Sequence, residues 1–145
     1  MGLDPGGRRI GIALSDPTGL LASAHSVLRR TTPERDLAEL RRIAQAHDVE
    51  RVVVGLPLHM SGQEGDEAER ARTFAAEVEA ALGLPVDLVD ERLSSIEAQR
   101  QLIDAGVRRG RVKERLDAVA AALVLQSYLE SRRFRQQMEN PSGQP

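Results

Sequence analysis

Carboxylates stand at places where a purely structural role uses them least. Asp4 ends a short apolar stretch just before Pro5-Gly6-Gly7, and Asp90-Glu91 close the apolar stretch Val86 to Val89. Asp117 opens a helical stripe shared with Ala121, Val124 and Tyr128, which Ala120 joins. Burying a lone carboxylate is costly unless it is paired or bound to a metal. Grouped carboxylates offer oxygen ligands to hard cations such as Mg²⁺ or Mn²⁺. Two such ions about 3.5–4 Å apart stabilise both the attacking and the leaving oxygen in phosphodiester cleavage. That chemistry needs no His, Cys or Ser nucleophile, and the chain is poor in those. It has no cysteine, its histidines (His25, His47 and His59) are scattered, and a nucleophile elbow is absent. Each carboxylate also has a plainer role. Asp4 suits a cap on the glycine turn, Asp117 suits a helix N-terminus, and Glu91 suits an ion pair with Arg92. Convergence separates the readings, because ligands in open α/β sheets gather at the carboxyl ends of strands.

The elements that must position these groups can be read in order. Met1 to Asp4 and Ile10 to Leu14 read as strands around the Gly-rich turn. Asp16-Pro17-Thr18-Gly19 carries β-turn residues in their preferred places, and Leu20 to Leu28 returns as a third, antiparallel strand. Thr32-Pro33 signals a helix start, followed by Leu37, Leu40, Ile43, Ala44 and His47 at helical spacing. Val52-Val53-Val54 reads as a buried parallel strand. A long helix is expected from Asp66 to Leu82, stopped by Gly83, then a strand from Val86 to Val89. A further helix is expected from Ser94 or Ser95 to about Ala105, and a last one from about Leu116 to Arg133. The order predicts an α/β fold: a mixed five-stranded sheet, three antiparallel strands then parallel ones, with helices on both faces. One domain spans residues 1–135, and the polar stretch 136–145 reads as a disordered tail.

The 145 residues include 20 basic and 22 acidic ones, and aromatics are 2%. The net charge of −2 does not mark a nucleic-acid binder, and base-stacking platforms are almost excluded. The average conceals an asymmetry. Gln63 to Glu91 holds nine acidic residues against Arg70 and Arg72, whereas Arg92 to Arg135 holds ten basic against five acidic. The densest basic run is Arg108, Arg109, Arg111, Lys113 and Arg115. It reads either as a solvated face or as a phosphate-binding arm. All basic residues but Lys113 are arginine, whose planar fork of donors suits phosphate. No secretory h-region or apolar span of about 18 residues is visible, so a soluble cytoplasmic protein is expected.

The run Gly2-Leu3-Asp4-Pro5-Gly6-Gly7-Arg8-Arg9-Ile10-Gly11-Ile12-Ala13-Leu14-Ser15-Asp16 resembles the opening of the YqgF/RuvX family. Its members are described as pre-16S rRNA nucleases and as Holliday-junction-resolvase-like proteins. The match continues through Val53-Val54-Gly55-Leu56-Pro57-Leu58, then Gly62 with Glu64-Gly65. It goes on through Asp90-Glu91-Arg92-Leu93-Ser94-Ser95 and closes with Leu116-Asp117-Ala118-Val119-Ala120-Ala121, spanning roughly Gly2 to Gln126. The resemblance implies an RNase H-like fold and a divalent-metal endonuclease. It carries ligand and catalytic roles onto Asp4, onto the Asp90-Glu91 pair and onto Asp117. Successive strand residues face opposite ways, so one of the pair enters the site, and Glu91 is favoured. The chain departs from the family at Gly7 (usually Thr or Ser), His59 (usually Asn) and Ser94-Ser95 (commonly Thr-Thr). Only three residues precede Asp4, where the family usually has several more, so a weakened first strand is expected.

The resemblance gives the basic run a place beside the metal site, with Arg8, Arg9 and Arg92 lining the same nucleic-acid cleft. The acidic helix from Asp66 to Glu79 is then expected to lie away from the nucleic acid. Pre-16S rRNA 5′-end processing leads. A Holliday junction resolvase is the alternative, and would be a two-fold homodimer. A non-catalytic binder of rRNA precursors is the rival from another class. A nucleotide-hydrolysing module, suggested by the strand-end Asp and glycine turn, is the weakest.

Overall fold

In the computed structural model, residues 1–57, 61–91 and 112–139 are described, with the backbone alone for 112–114. The strands are β1 (Gly2–Pro5), β2 (Arg9–Ser15), β3 (Ala22–Arg29), β4 (Val52–Leu56) and β5 (Val86–Asp90). The helices are α1 (Pro33–Ala46), α2 (Asp66–Leu82) and α3 (Val112–Glu139). The strands form one sheet in the order β3-β2-β1-β4-β5. β2 pairs antiparallel with both β1 and β3, while β4 runs parallel to β1 and β5. This is the expected mixed sheet. The helix expected between Ser94 and Ala105 lies outside the described residues.

Alternation along the strands sends alternate side chains to opposite faces. Leu3, Ile10, Ile12, Val52 and Val54 pack on one face with Leu40 and Ile43 of α1 and Phe74 and Val78 of α2. Each such burial contributes about 1.5–3 kcal/mol. Ala13, Val53 and Val89 face the other way, onto Ala121, Val124, Leu125 and Leu129 of α3. β1 is short but not peripheral. It has four residues, lies between β2 and β4, and buries Leu3 completely.

The α3 face is lined by small residues, which sets how closely the helix can approach. A Cβ on Gly11 would stand 1.8 Å from the Asp117 carbonyl oxygen. That obstacle is backbone, so no side-chain rotation relieves it. A Cβ on Gly2 would meet the Leu125 Cβ at 2.7 Å. The helix therefore lies on bare strand backbone at the point where Asp117 is presented.

Local signals account for most boundaries. The Thr32 hydroxyl accepts from the Arg35 N–H at 3.3 Å, with Pro33 opening α1. Gly83 ends α2 in the left-handed region, φ 67°. The third strand starts at Ala22 rather than Leu20 because Asp16 captures the N–H groups of both Leu20 and Leu21, at 2.8 and 3.0 Å. α3 runs past its expected end, so residues 136–139 are helical rather than part of a tail. They are exposed, and Gln, Met and Glu are strong helix formers that carry the helix on without packing. No helix among the described residues is long and apolar enough to cross a membrane.

Two outcomes follow from these contacts. Gly11→Ala should lower the unfolding free energy by about 3 kcal/mol or more, the upper range for overpacking a rigid site, measured by denaturant melts. The Leu21 N–H, then the Thr18 hydroxyl and the Leu20 N–H, hold the Asp16 carboxyl below its usual value. A lowered carboxyl pKa stabilises the fold above the ordinary value and loses that effect as pH falls through the folded one. The stability difference between wild type and Asp16→Asn should therefore shrink as pH falls below the ordinary carboxyl value of 3.8.

Candidate active site

Asp4 is the third residue of β1, on the α3 face and at the strand's carboxyl end. Leu3 is in register with Val54 of β4, which sets Asp4 beside Gly55. On the other side Asp4 is paired with Gly11 of β2. Glu91 is the first residue past β5, tied back by its N–H to the Leu56 carbonyl at 3.1 Å. Its carboxylate lies over Gly55, where a Cβ would stand 2.6 Å from Oε1. Asp90 ends β5 opposite Leu56, and alternation turns it to the face of Leu88. Of the pair, Glu91 is thus the residue on Asp4's face.

Asp4 and Glu91 line one cleft of about 670 Å³, together with Gly6, Gly7, Gly55, Arg30 and residues of α2. Asp117 does not line it. It stands one strand away, over Gly11, with a carboxylate one-third exposed and bound by Arg9. The Arg9 Nε donates to Asp117 Oδ2 at 2.8 Å. Among the described residues no three Asp, Glu or His side chains are close enough to share an ion. The geometry thus brings Asp4 and Glu91 together and holds Asp117 at the margin.

The donor set still fits a hard divalent cation. All three candidates are carboxylates. Gly55 leaves open the volume that a side chain would take from the Glu91 carboxylate.

The cations divide by position. Arg8 is exposed on the β1–β2 turn, and Arg115 is exposed near the start of α3. Arg92, Arg108, Arg109 and Arg111 lie outside the described residues, as does the side chain of Lys113. Arg30, which the sequence did not single out, lines the cleft. Its Nη1 donates to the Gly6 carbonyl at 2.7 Å, and its guanidinium lies 5.4 Å from the Phe74 ring centroid. No sequence signal marked it, because its partners are 24 and 44 residues away.

One expectation is corrected. The acidic helix does not lie away from the candidate site: Asp66, Glu67, Glu69 and Glu77 line the same cleft as Asp4 and Glu91. β4 delivers the chain to the carboxyl end of the sheet, so α2 begins there. Acidic residues in its first turn are favoured by the helix dipole.

A mixed sheet of this order, with carboxylates at the carboxyl ends of β1 and β5 and a third on the covering helix, defines a nuclease of RNase H-like fold. The same fold appears in T. thermophilus RuvC in complex with Holliday junction substrate, with a TM-score of 0.57 at 19% identity, covering 91% of this chain and 93% of that one. The chain belongs to the RuvX family, described as Holliday junction resolvase, which it matches over residues 1–131. It is 48% identical over 130 residues to a protein of Syntrophomonas wolfei named "Putative pre-16S rRNA nuclease", covering 90% of this chain and 92% of that one. A Myxococcus xanthus protein of the same name is 47% identical over 133 residues, covering 92% and 88%.

Gly55→Ala meets the end of the flexible Glu91 side chain at 2.6 Å and, less tightly, the Val124 Cγ2 at 3.2 Å, with no backbone in the way. It should fold with a melting temperature close to wild type but displace the Glu91 carboxylate, cutting nuclease activity about tenfold or more. Paired melts and cleavage assays check this.

Proposed function

We propose that this chain is a divalent-metal-dependent endonuclease that matures the 5′ end of pre-16S rRNA in the cytoplasm. The observation that carries the reading is the placement of Asp4 and Glu91 on one cleft, with Asp117 presented on the same face across Gly11. Support for the substrate comes from the names of relatives 47–48% identical over most of the chain. In this reading Asp4 and Glu91 would hold Mg²⁺ or Mn²⁺ at the cleft, with Asp117 supplying a further carboxylate from its margin. When bound, the ion supplies Lewis-acid stabilisation and an activated water.

The chain's own residues provide the rest. Arg30, held by the Gly6 carbonyl and Phe74, offers a fixed guanidinium to a phosphate at the cleft. Arg8, Arg9, Arg92, Arg108, Arg109, Arg111, Lys113 and Arg115 engage the backbone around it. With so few aromatics, affinity rests on phosphate charge and helical shape rather than base stacking.

A second reading, resolution of Holliday junctions, is favoured by the family description and the likeness to RuvC. A resolvase would act as a two-fold homodimer cutting symmetric strands, so sedimentation with a four-way junction separates the readings.

Parallel assays on pre-16S rRNA and on a four-way junction should show cleavage with Mg²⁺ or Mn²⁺, and none after EDTA. Asp4→Asn and Asp117→Asn should each lower the rate by at least about a hundredfold while still binding RNA. Undiminished cutting by either variant would sink the metal-nuclease reading. Binding without cleavage under every metal would point instead to a non-catalytic rRNA binder.

A further inference from the structure

Arg9 and Asp117 are 108 positions apart, and their contact crosses from the sheet to α3. The two partners differ in freedom. Asp117 has its backbone packed closely on Gly11, and Ala118 and Ala121 beside it are buried, so its carboxylate can turn while the packing of the helix holds its main chain. Arg9 reaches it from the first residue of β2 with a long side chain, and the two side chains are 27% and 31% exposed. The guanidinium is therefore the partner that moves. The oxygen it occupies belongs to a carboxylate that the proposed function gives to a dication, and the two cations cannot share it without repulsion.

We propose that Arg9 is a resident counter-cation for Asp117, a positioning residue that neutralises this carboxylate until a divalent ion replaces it. This rests on the metal-nuclease reading above. Ion entry and Arg9 departure are then linked, and linkage is reciprocal: whatever Arg9 gains from Asp117, the ion loses. Once displaced, the guanidinium remains at the rim of the site, with its planar fork released for a substrate phosphate. The latch is also weak by construction. A partly exposed pair is worth a factor of about five at most in an equilibrium constant, so an ion can open it.

The test is Mn²⁺ binding by calorimetry, without substrate, on wild type, Arg9→Gln, Asp117→Asn and the double variant. Arg9→Gln should bind Mn²⁺ about two- to fivefold more tightly. Asp117→Asn should bind more weakly, and adding Arg9→Gln to it should change nothing further. Arg30→Gln, which removes a cleft cation that does not touch Asp117, should gain less than Arg9→Gln. Arg9→Lys keeps the charge but loses the fork, and should shift affinity in the same direction by less, providing a second variant if Arg9→Gln folds poorly. An unchanged or weaker affinity in Arg9→Gln and Arg9→Lys, with Asp117→Asn still impaired, overturns the latch and leaves the metal site standing. An equal gain in Arg30→Gln also overturns it, as an effect of net charge alone. If Asp117→Asn binds Mn²⁺ as wild type does, the metal reading falls and the latch with it.

Discussion

The close approach of α3 to the sheet is the contact on which everything else depends. The Asp117 carbonyl occupies the space that a side chain on Gly11 would fill, and Leu125 fills that of Gly2. Ala118 and Ala121 are almost wholly buried along the same helix. Small residues on both sides let α3 seal the hydrophobic face and carry a carboxylate within one strand of Asp4. Burial and chemistry thus have one cause. A bulkier residue at Gly11 would push back the packing of Val124 and Leu125 along with Asp117.

Charge in and beside the cleft is organised by fixing cations on neutral or negative partners. Arg30 is held between a carbonyl and an aromatic ring, and Arg9 by a carboxylate. Phe74, one of the few aromatics, thus serves as a platform for a guanidinium. At the other end of the sheet, Arg51 Nη1 and the Tyr128 hydroxyl both donate to Asp87 Oδ2, at 2.8 and 2.9 Å. That contact ties β5 to α3 far from the candidate site. Burial, then this hydrogen bond, raises the Tyr128 pKa, which keeps the phenol a donor.

What was legible in the sequence was local. Thr32-Pro33, Asp66 to Leu82 with Gly83, and Val52-Val53-Val54 carry their cues within a few residues, and the structure has those elements. The five-stranded mixed sheet followed from their order. Of the site, the strand-end positions of Asp4 and Glu91 could be read, because a strand that stops on a carboxylate before glycine or a turn says so itself. The rest depends on separation along the chain. Nothing near Arg9 announces a partner 108 residues away, and nothing near Arg30 announces Gly6. The acidic helix was misplaced for a related reason: its charge was weighed as an average, whereas its location is decided by which end of β4 feeds it.

That helix also gives the cleft an uneven charge. Asp66, Glu67, Glu69 and Glu77 line it together with Arg70 of the same helix, while Arg30 lies against Phe74 and the hairpin turn. A polyanion at this surface would be repelled where those four carboxylates crowd the cleft and drawn to the points where Arg30 and Arg70 stand, so its contact would be confined to a few phosphates rather than spread along the helix.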